Sequence, residues 1–130
     1  MSNGMNKNTR VEVALSIGDN IDWQTSENIQ LVQALLSLKN ATEAQNFMRD
    51  LMTQGEIEEF GKRLEAARLL SKDVQYNTII ESTGLSSTTI ARISKWLKGP
   101  LGGYKLILNR LANQHHRNST KLGKGLSLNT

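Results

Sequence analysis

The chain has 130 residues, 38% hydrophobic and 22% charged, enough for one globular domain with tails and short of two ordinary ones. It has no cysteine, which excludes disulfides, thiolate nucleophiles and cysteine-ligated zinc together. The net charge of +4 hides an asymmetry: residues 1–81 hold eight Lys/Arg and all twelve acids, a balance of −4, while residues 82–130 hold the other eight Lys/Arg and no acid, a balance of +8.

The first ten residues are polar, and no run reaches the apolar length of a signal peptide or a membrane span, so a soluble cytoplasmic protein with no membrane partner is expected. Residues 1–25 read as a flexible or weakly ordered arm. Within it Val11, Val13, Leu15 and Ile17 alternate with Glu12, Ala14 and Ser16, the period of a half-buried strand. Such a lone strand is either disordered or paired with another chain.

From Ser26 the period becomes helical. Ser26 is a candidate cap for a first helix, about Glu27 to Leu38, whose Ile29, Leu31, Val32, Leu35, Leu36 and Leu38 cover more than half the circumference. That face is too wide for a surface helix. Thr42 with Gln45 suggests a capping box opening a second helix to about Met52, with Ala44, Phe47, Met48, Leu51 and Met52 in a stripe of core character. Thr53 with Glu56 repeats the box and opens a third helix to about Ser71, with Ile57, Phe60, Leu64, Ala67 and Leu70 on one side. Gly61 inside it suggests close approach of another helix.

After a break at Lys72-Asp73, a fourth helix from about Gln75 to Ser82 ends at Gly84, where a sharp turn needs a positive φ. A fifth follows at once and stops at Gly99-Pro100, the chain's only proline. A last helix, about Tyr104 to Ala112, has Tyr104, Ile107, Leu108 and Leu111 on one side. Residues 113–130 read as a disordered basic tail. The folded unit is therefore expected over 26–112, all-α with six helices.

Two short helices joined through a glycine turn are the helix-turn-helix plan, in which the second helix enters the major groove of DNA. Counted from Tyr76, the positions that lock such a pair hold Ile79, Gly84, Ile90 and Ile93, while the usually small fifth position holds Ile80. In the second helix Ile90, Ile93 and Leu97 share one stripe, leaving Thr88, Ala91, Arg92 and Lys95 on the other side. The residues expected at double-stranded DNA are therefore Asn77, Ser86, Ser87, Thr88, Ala91, Arg92, Lys95 and Lys98. The hydroxyls suit phosphates, base edges or a cap; Ala91 suits a thymine methyl, Arg92 a guanine edge, and Lys95 and Lys98 phosphates. An acid-free half of the chain suits the same polyanion.

The runs "MTQGEIEEFGKRLEAARLL" and "GLSSTTIARISKWL" resemble the Trp repressor superfamily, and "LLSLKNATEAQNFMRDLMT", "GKRLEAARLL" and "GGY" are similar to its YerC/YecD-type branch. The resemblance spans about Ser26 to Leu111. It implies a six-helix, intertwined homodimer that binds operator DNA through paired helix-turn-helix units and acts as a transcriptional regulator, most simply a repressor. It also implies a ligand pocket, here vestigial. Thr53, Arg63, Thr89 and Arg92 stand at its threonine and arginine positions, but Ile93 replaces a glycine and Trp96 a serine. Both replacements add bulk, so tryptophan is not expected as corepressor; no cofactor is expected, and whether another small molecule acts as effector is left open by the sequence.

An enzyme is not expected. His115 and His116 adjoin in the tail with no third ligand for a metal, and Glu56, Glu58 and Glu59 cluster at a helix start, where they complement its dipole. No phosphate-binding glycine loop or nucleophile elbow is present. The alternative reading keeps the fold and changes the partner: a replication-initiator-like duplex binder, or a docking module for RNA or protein.

Overall fold

The computed structural model describes residues 20–129, which form six helices and no strand: α1 Ser26–Ser37, α2 Ala41–Leu51, α3 Gln54–Ser71, α4 Tyr76–Thr83, α5 Ser87–Lys98 and α6 Gly103–Asn129. The alternating stretch from Val11 to Ile17 lies outside the described residues. The chain divides into two compact units with the boundary between Phe47 and Met48, inside α2 and within the span read as one domain.

In the first unit, α1 is capped by Thr25 rather than Ser26. Thr25 has an extended backbone, and its Oγ1 accepts the Asn28 N–H at 3.2 Å, which places Ser26 inside the helix. The Asn28 side chain in turn donates to the Asp22 carbonyl at 2.8 Å and ties the preceding turn to the helix. No residue of α1 is buried. Ile29, Leu31, Val32 and Leu35 are all more than a third exposed, and Leu36 is 80% exposed. The expected capping box at Thr42 also moves. Asn40 Oδ1 accepts the Glu43 N–H at 2.9 Å, and Glu43 Oε1 accepts the Lys39 N–H at 3.0 Å. Asparagine caps better than threonine, so the helix starts two residues earlier, at Ala41, and encloses Thr42.

The second unit holds the core. The Thr53–Glu56 capping box forms as expected, with Thr53 Oγ1 accepting the Glu56 N–H at 3.1 Å and Glu56 Oε1 accepting the Thr53 N–H at 3.0 Å. The Thr53 backbone N–H, and after it the Thr53 hydroxyl, favour the ionised Glu56 carboxylate and hold its pKa below the ordinary range. The break after α3 is a Schellman turn. Asp73, at φ 60°, donates to the Leu70 carbonyl at 3.0 Å, and Val74 donates to that of Leu69 at 3.1 Å. Helix α3 packs against α4, α5 and α6, and α5 packs against α4 and α6. Between them Ala66, Ala67, Ile79, Leu85, Ile90 and Ile93 form the buried cluster, with Leu69, Leu70, Val74, Ile80, Tyr104 and Leu108 packed around it.

The small residues buried between these helices are Ala66 and Ala67, not Gly61. A Cβ at Gly61 would meet nothing within 4 Å in the single chain. Ile80, bulky where the plan usually has a small residue, sits half-buried at the margin of the cluster and so is accommodated without entering it. Helix α6 continues past Ala112 to Asn129, where the sequence was read as a disordered tail. Glycines 123 and 125 lower helix propensity by about 1 kcal/mol each without forbidding the helix, and no proline interrupts it.

Candidate nucleic-acid interface

The joint between α4 and α5 is fixed by bonds that the local sequence supplies. Thr83, 7% exposed, donates from Oγ1 to the Ile79 carbonyl at 2.6 Å and accepts the Leu85 N–H at 3.2 Å. Gly84 takes φ 74°, and its N–H reaches the Ile80 carbonyl at 2.8 Å. Leu85, 5% exposed, then drops into the core and pins the turn. Ser86 restarts the helix: its Oγ accepts the Thr89 N–H at 3.1 Å and donates to Thr89 Oγ1 at 3.0 Å. The chain thus leaves one helix and enters the next over three residues, each with a defined role.

This joint sets which side of α5 is free. Ile90, Ile93, Ser94 and Leu97 are buried, whereas Ser87, Thr88, Ala91, Arg92, Lys95 and Lys98 are exposed. Asn77, in the first turn of α4, is exposed as well. Of the four hydroxyls at the front of α5, Ser86 and Thr89 are occupied with capping, which leaves Ser87 and Thr88 as the pair open to solvent. Lys95 and Lys98 stand in the last turn, where they complement the helix dipole. The ion pairs among the described residues join Arg49 to Asp50, Arg63 to Glu59 and Arg68 to Glu65, and none involves Arg92, Lys95 or Lys98. The free side of α5 therefore carries unneutralised positive charge and hydroxyls, with a methyl at Ala91.

The positions assigned to a vestigial pocket have other occupations. Thr53 is exposed and caps α3. Arg63 binds Glu59 at 3.1 Å, with its guanidinium 5.5 Å from the Phe60 ring centre. Thr89 is taken up by Ser86, Arg92 is exposed, and Trp96 is half-buried. Ile93 is 3% exposed and belongs to the hydrophobic cluster. Sequence reading treated Tyr104 as one more residue of an apolar stripe. In the structure Tyr104 packs on the core, burial raises its phenol pKa, and the charges of Arg63 and Arg92 oppose that shift. Tyr104 thus lies in the field of both arginines, a juxtaposition that the spacing within α6 could not reveal.

Among the described residues no group of three or more His, Cys, Asp or Glu is placed to hold a metal ion, and no helix is long and apolar enough to cross a membrane.

This arrangement agrees with comparison to known proteins. The model of the Trp repressor protein family matches residues 26–112. The chain belongs to the Trp repressor family. It is 36% identical over 92 residues to the uncharacterized protein YerC of Bacillus subtilis (strain 168), a match covering 71% of this chain and 88% of that protein. Among solved structures, a TrpR like protein from Eubacterium eligens ATCC 27750 is 38% identical with a TM-score of 0.65, covering 69% of this chain and 93% of that one. The fold is thus all-α and Trp-repressor-like, of YerC type, and the family is one of DNA-binding regulators rather than enzymes.

Proposed function

We propose that this protein is a cytoplasmic, sequence-specific regulator of transcription that represses by binding double-stranded DNA as a homodimer, with the exposed side of α5 in the major groove. The observation that carries the reading is the bare, acid-free side of α5 held on a hydrogen-bonded turn. Ser87, Thr88, Ala91 and Arg92 face base edges. Asn77, Lys95 and Lys98 bind phosphates, and Ser86 keeps the helix amino end in shape beside them. Two copies of α5 about one DNA turn apart, ~34 Å, would read a near-palindrome.

The homodimer is supported by what the single chain leaves uncovered. Helix α1 buries none of its residues although much of its circumference is apolar, and Phe60, Leu101, Ile107 and Leu111 are each more than 40% exposed. A second copy offers the same apolar faces in return.

Tryptophan is not the corepressor in this reading. Ile93 sits in the core where the pocket needs a glycine, and the Thr53 and Thr89 hydroxyls are engaged in caps. Titrating L-tryptophan by calorimetry should give no heat of binding, and a micromolar dissociation constant would overturn this part. The reading as a whole is tested by selecting duplexes from a random pool and measuring their affinity against scrambled controls. A preference of at least 1,000-fold, on the order of what specific regulators show, is expected. Equal affinity for all duplexes, or selection of single-stranded RNA instead, would refute it.

A further inference from the structure

Helix α5, Ser87–Lys98, contains no Asn, Gln, Asp or Glu at any position. Each absence removes one way of reading a base. An amide pairs bidentately with N6 and N7 of adenine, and a carboxylate accepts from N4 of cytosine. The amide assigned to the interface, Asn77, stands in the first turn of α4, the helix that crosses the phosphate backbone in this plan. What α5 offers a base edge is therefore a guanidinium, ammonium groups, hydroxyls and methyls.

At about 100° per residue, Thr88, Ala91, Arg92 and Lys95 surround one spot opposite the buried stripe of Ile90, Ile93 and Leu97. Thr88 is three residues from Ala91 and four from Arg92, so both are its neighbours on the helix surface. Of the exposed residues of α5, Ala91 alone is apolar. Its side chain ends at Cβ and has no hydrogen-bonding group, so a base edge that closes on this spot meets only a methyl. The thymine C5-methyl is the one apolar group that a base presents in the major groove. Arg92 is the opposite case. It carries donors only, in the fork that matches O6 and N7 of guanine.

We propose that in each half-site the C5-methyl of a thymine packs against Ala91, flanked by the Thr88 methyl, beside a guanine held by Arg92, and that α5 reads neither adenine nor cytosine directly. From Thr88 to Arg92 the helix rises about 6 Å, so the two bases lie within roughly two base pairs of each other. The proposal rests on the DNA-binding reading above and names the bases which that reading leaves open.

The test uses the full chain and a duplex selected by it, with affinity followed by fluorescence anisotropy. Each thymine is exchanged in turn for deoxyuridine, which keeps the base pair and removes only the methyl. A buried methyl is worth a factor of about four, so exchange of one thymine per half-site should weaken binding about fourfold, and exchange of the others less than twofold. In Ala91→Ser and in Ala91→Gly the same exchange should cost less than twofold. Replacing adenines by 7-deazaadenine, which lacks N7, should leave affinity within twofold, whereas 7-deazaguanine at one guanine should weaken binding of the wild type and not of Arg92→Ala. Deoxyuridine tolerated at every thymine overturns the proposal while leaving α5 as the DNA reader, because the duplex is still preferred over a scrambled one. A deoxyuridine effect that persists undiminished in both Ala91 variants puts the methyl contact elsewhere and also overturns it, as does a larger loss with 7-deazaadenine than with 7-deazaguanine. A wild type that prefers no duplex removes the DNA-binding reading itself and this proposal with it.

Discussion

The hydroxyl of Thr83 is the most informative single atom to remove. It is nearly inaccessible, and it joins the end of α4 to the turn by donating to the Ile79 carbonyl at 2.6 Å and accepting the Leu85 N–H at 3.2 Å. Thr83→Val keeps the shape and exchanges the hydroxyl for a methyl. The Ile79 carbonyl retains its place in the helix ladder, but the Leu85 N–H, on a buried residue, loses this acceptor. Leaving a buried donor unsatisfied costs about 1–3 kcal/mol. In a folded unit of this size each kcal/mol lowers Tm by roughly 4–8 °C, so a fall of about 5–20 °C is expected by circular dichroism. Thr83→Ser is the control: it keeps both hydrogen bonds and removes one methyl, a loss of about 0.8 kcal/mol. Serine must therefore be the milder change. A valine variant as stable as wild type, or a serine variant less stable than valine, would show that Thr83 acts through its methyl and that the turn is held by packing alone. Below its melting transition the valine variant should also bind DNA more weakly, because the same bonds fix the angle at which α5 is presented.

Other perturbations bear on different parts of the molecule. Arg92→Ala should relax preference at one base pair by about 1–3 kcal/mol while leaving other positions unchanged, as read by competition with single-base variants of the selected duplex. Gly84→Ala meets no atom within 4 Å but must hold φ 74°, so it should destabilise by about 1–2 kcal/mol without altering the fold, measurable by urea unfolding. The lowered pKa of Glu56 means that its capping contribution is complete above the carboxyl's unfolded pKa and is lost as pH falls through the still lower folded value. Glu56→Gln should therefore remove part of the acid-induced loss of stability, seen as a smaller fall in Tm from pH 6 to pH 3.

The sequence was most legible where one local rule governed. The Thr53–Glu56 box, the glycine at the end of α4 and the stripe of Ile90, Ile93 and Leu97 each follow from a few neighbouring residues, and each stands where expected. Caps were misplaced where two candidates competed: Thr25 prevails over Ser26, and Asn40 over Thr42, because a cap is decided by which side chain reaches a free N–H three residues on. Beyond Ala112 the polar, basic, glycine-containing composition carries no helical period, and the continuation of α6 to Asn129 has no signature in it. Tyr104 escaped for another reason. The charges of Arg63 and Arg92 that act on its phenol belong to α3 and α5, and a relation among three helices has no signature in the spacing of any one.

The same contrast bears on how the proposed dimer and its DNA contact depend on each other. Among the described residues seven apolar ones are buried in the single chain, Ala66, Ala67, Ile79, Leu85, Ile90, Ile93 and Leu97, and two of them are alanines. All seven lie on α3, on α5, or on the α4 segment and turn that position α5, so the small core goes to fixing α5. Helix α1 belongs to the other unit and buries none of its own residues. Burying a full Leu or Ile side chain contributes about 1.5–3 kcal/mol, so covering five roughly half-exposed ones is worth about 4–8 kcal/mol per protomer. That is comparable to the whole stability of a small domain. Pairing then contributes to the fold itself as well as to the spacing of the two α5 helices, and thermal stability should rise with protein concentration. DNA affinity should weaken in step when α1 alone is altered, for instance by Leu35→Glu, although α1 carries no groove-facing residue. A Leu35→Glu protein with unchanged Tm and unchanged DNA affinity would separate the apolar face from the function and remove the argument for the dimer.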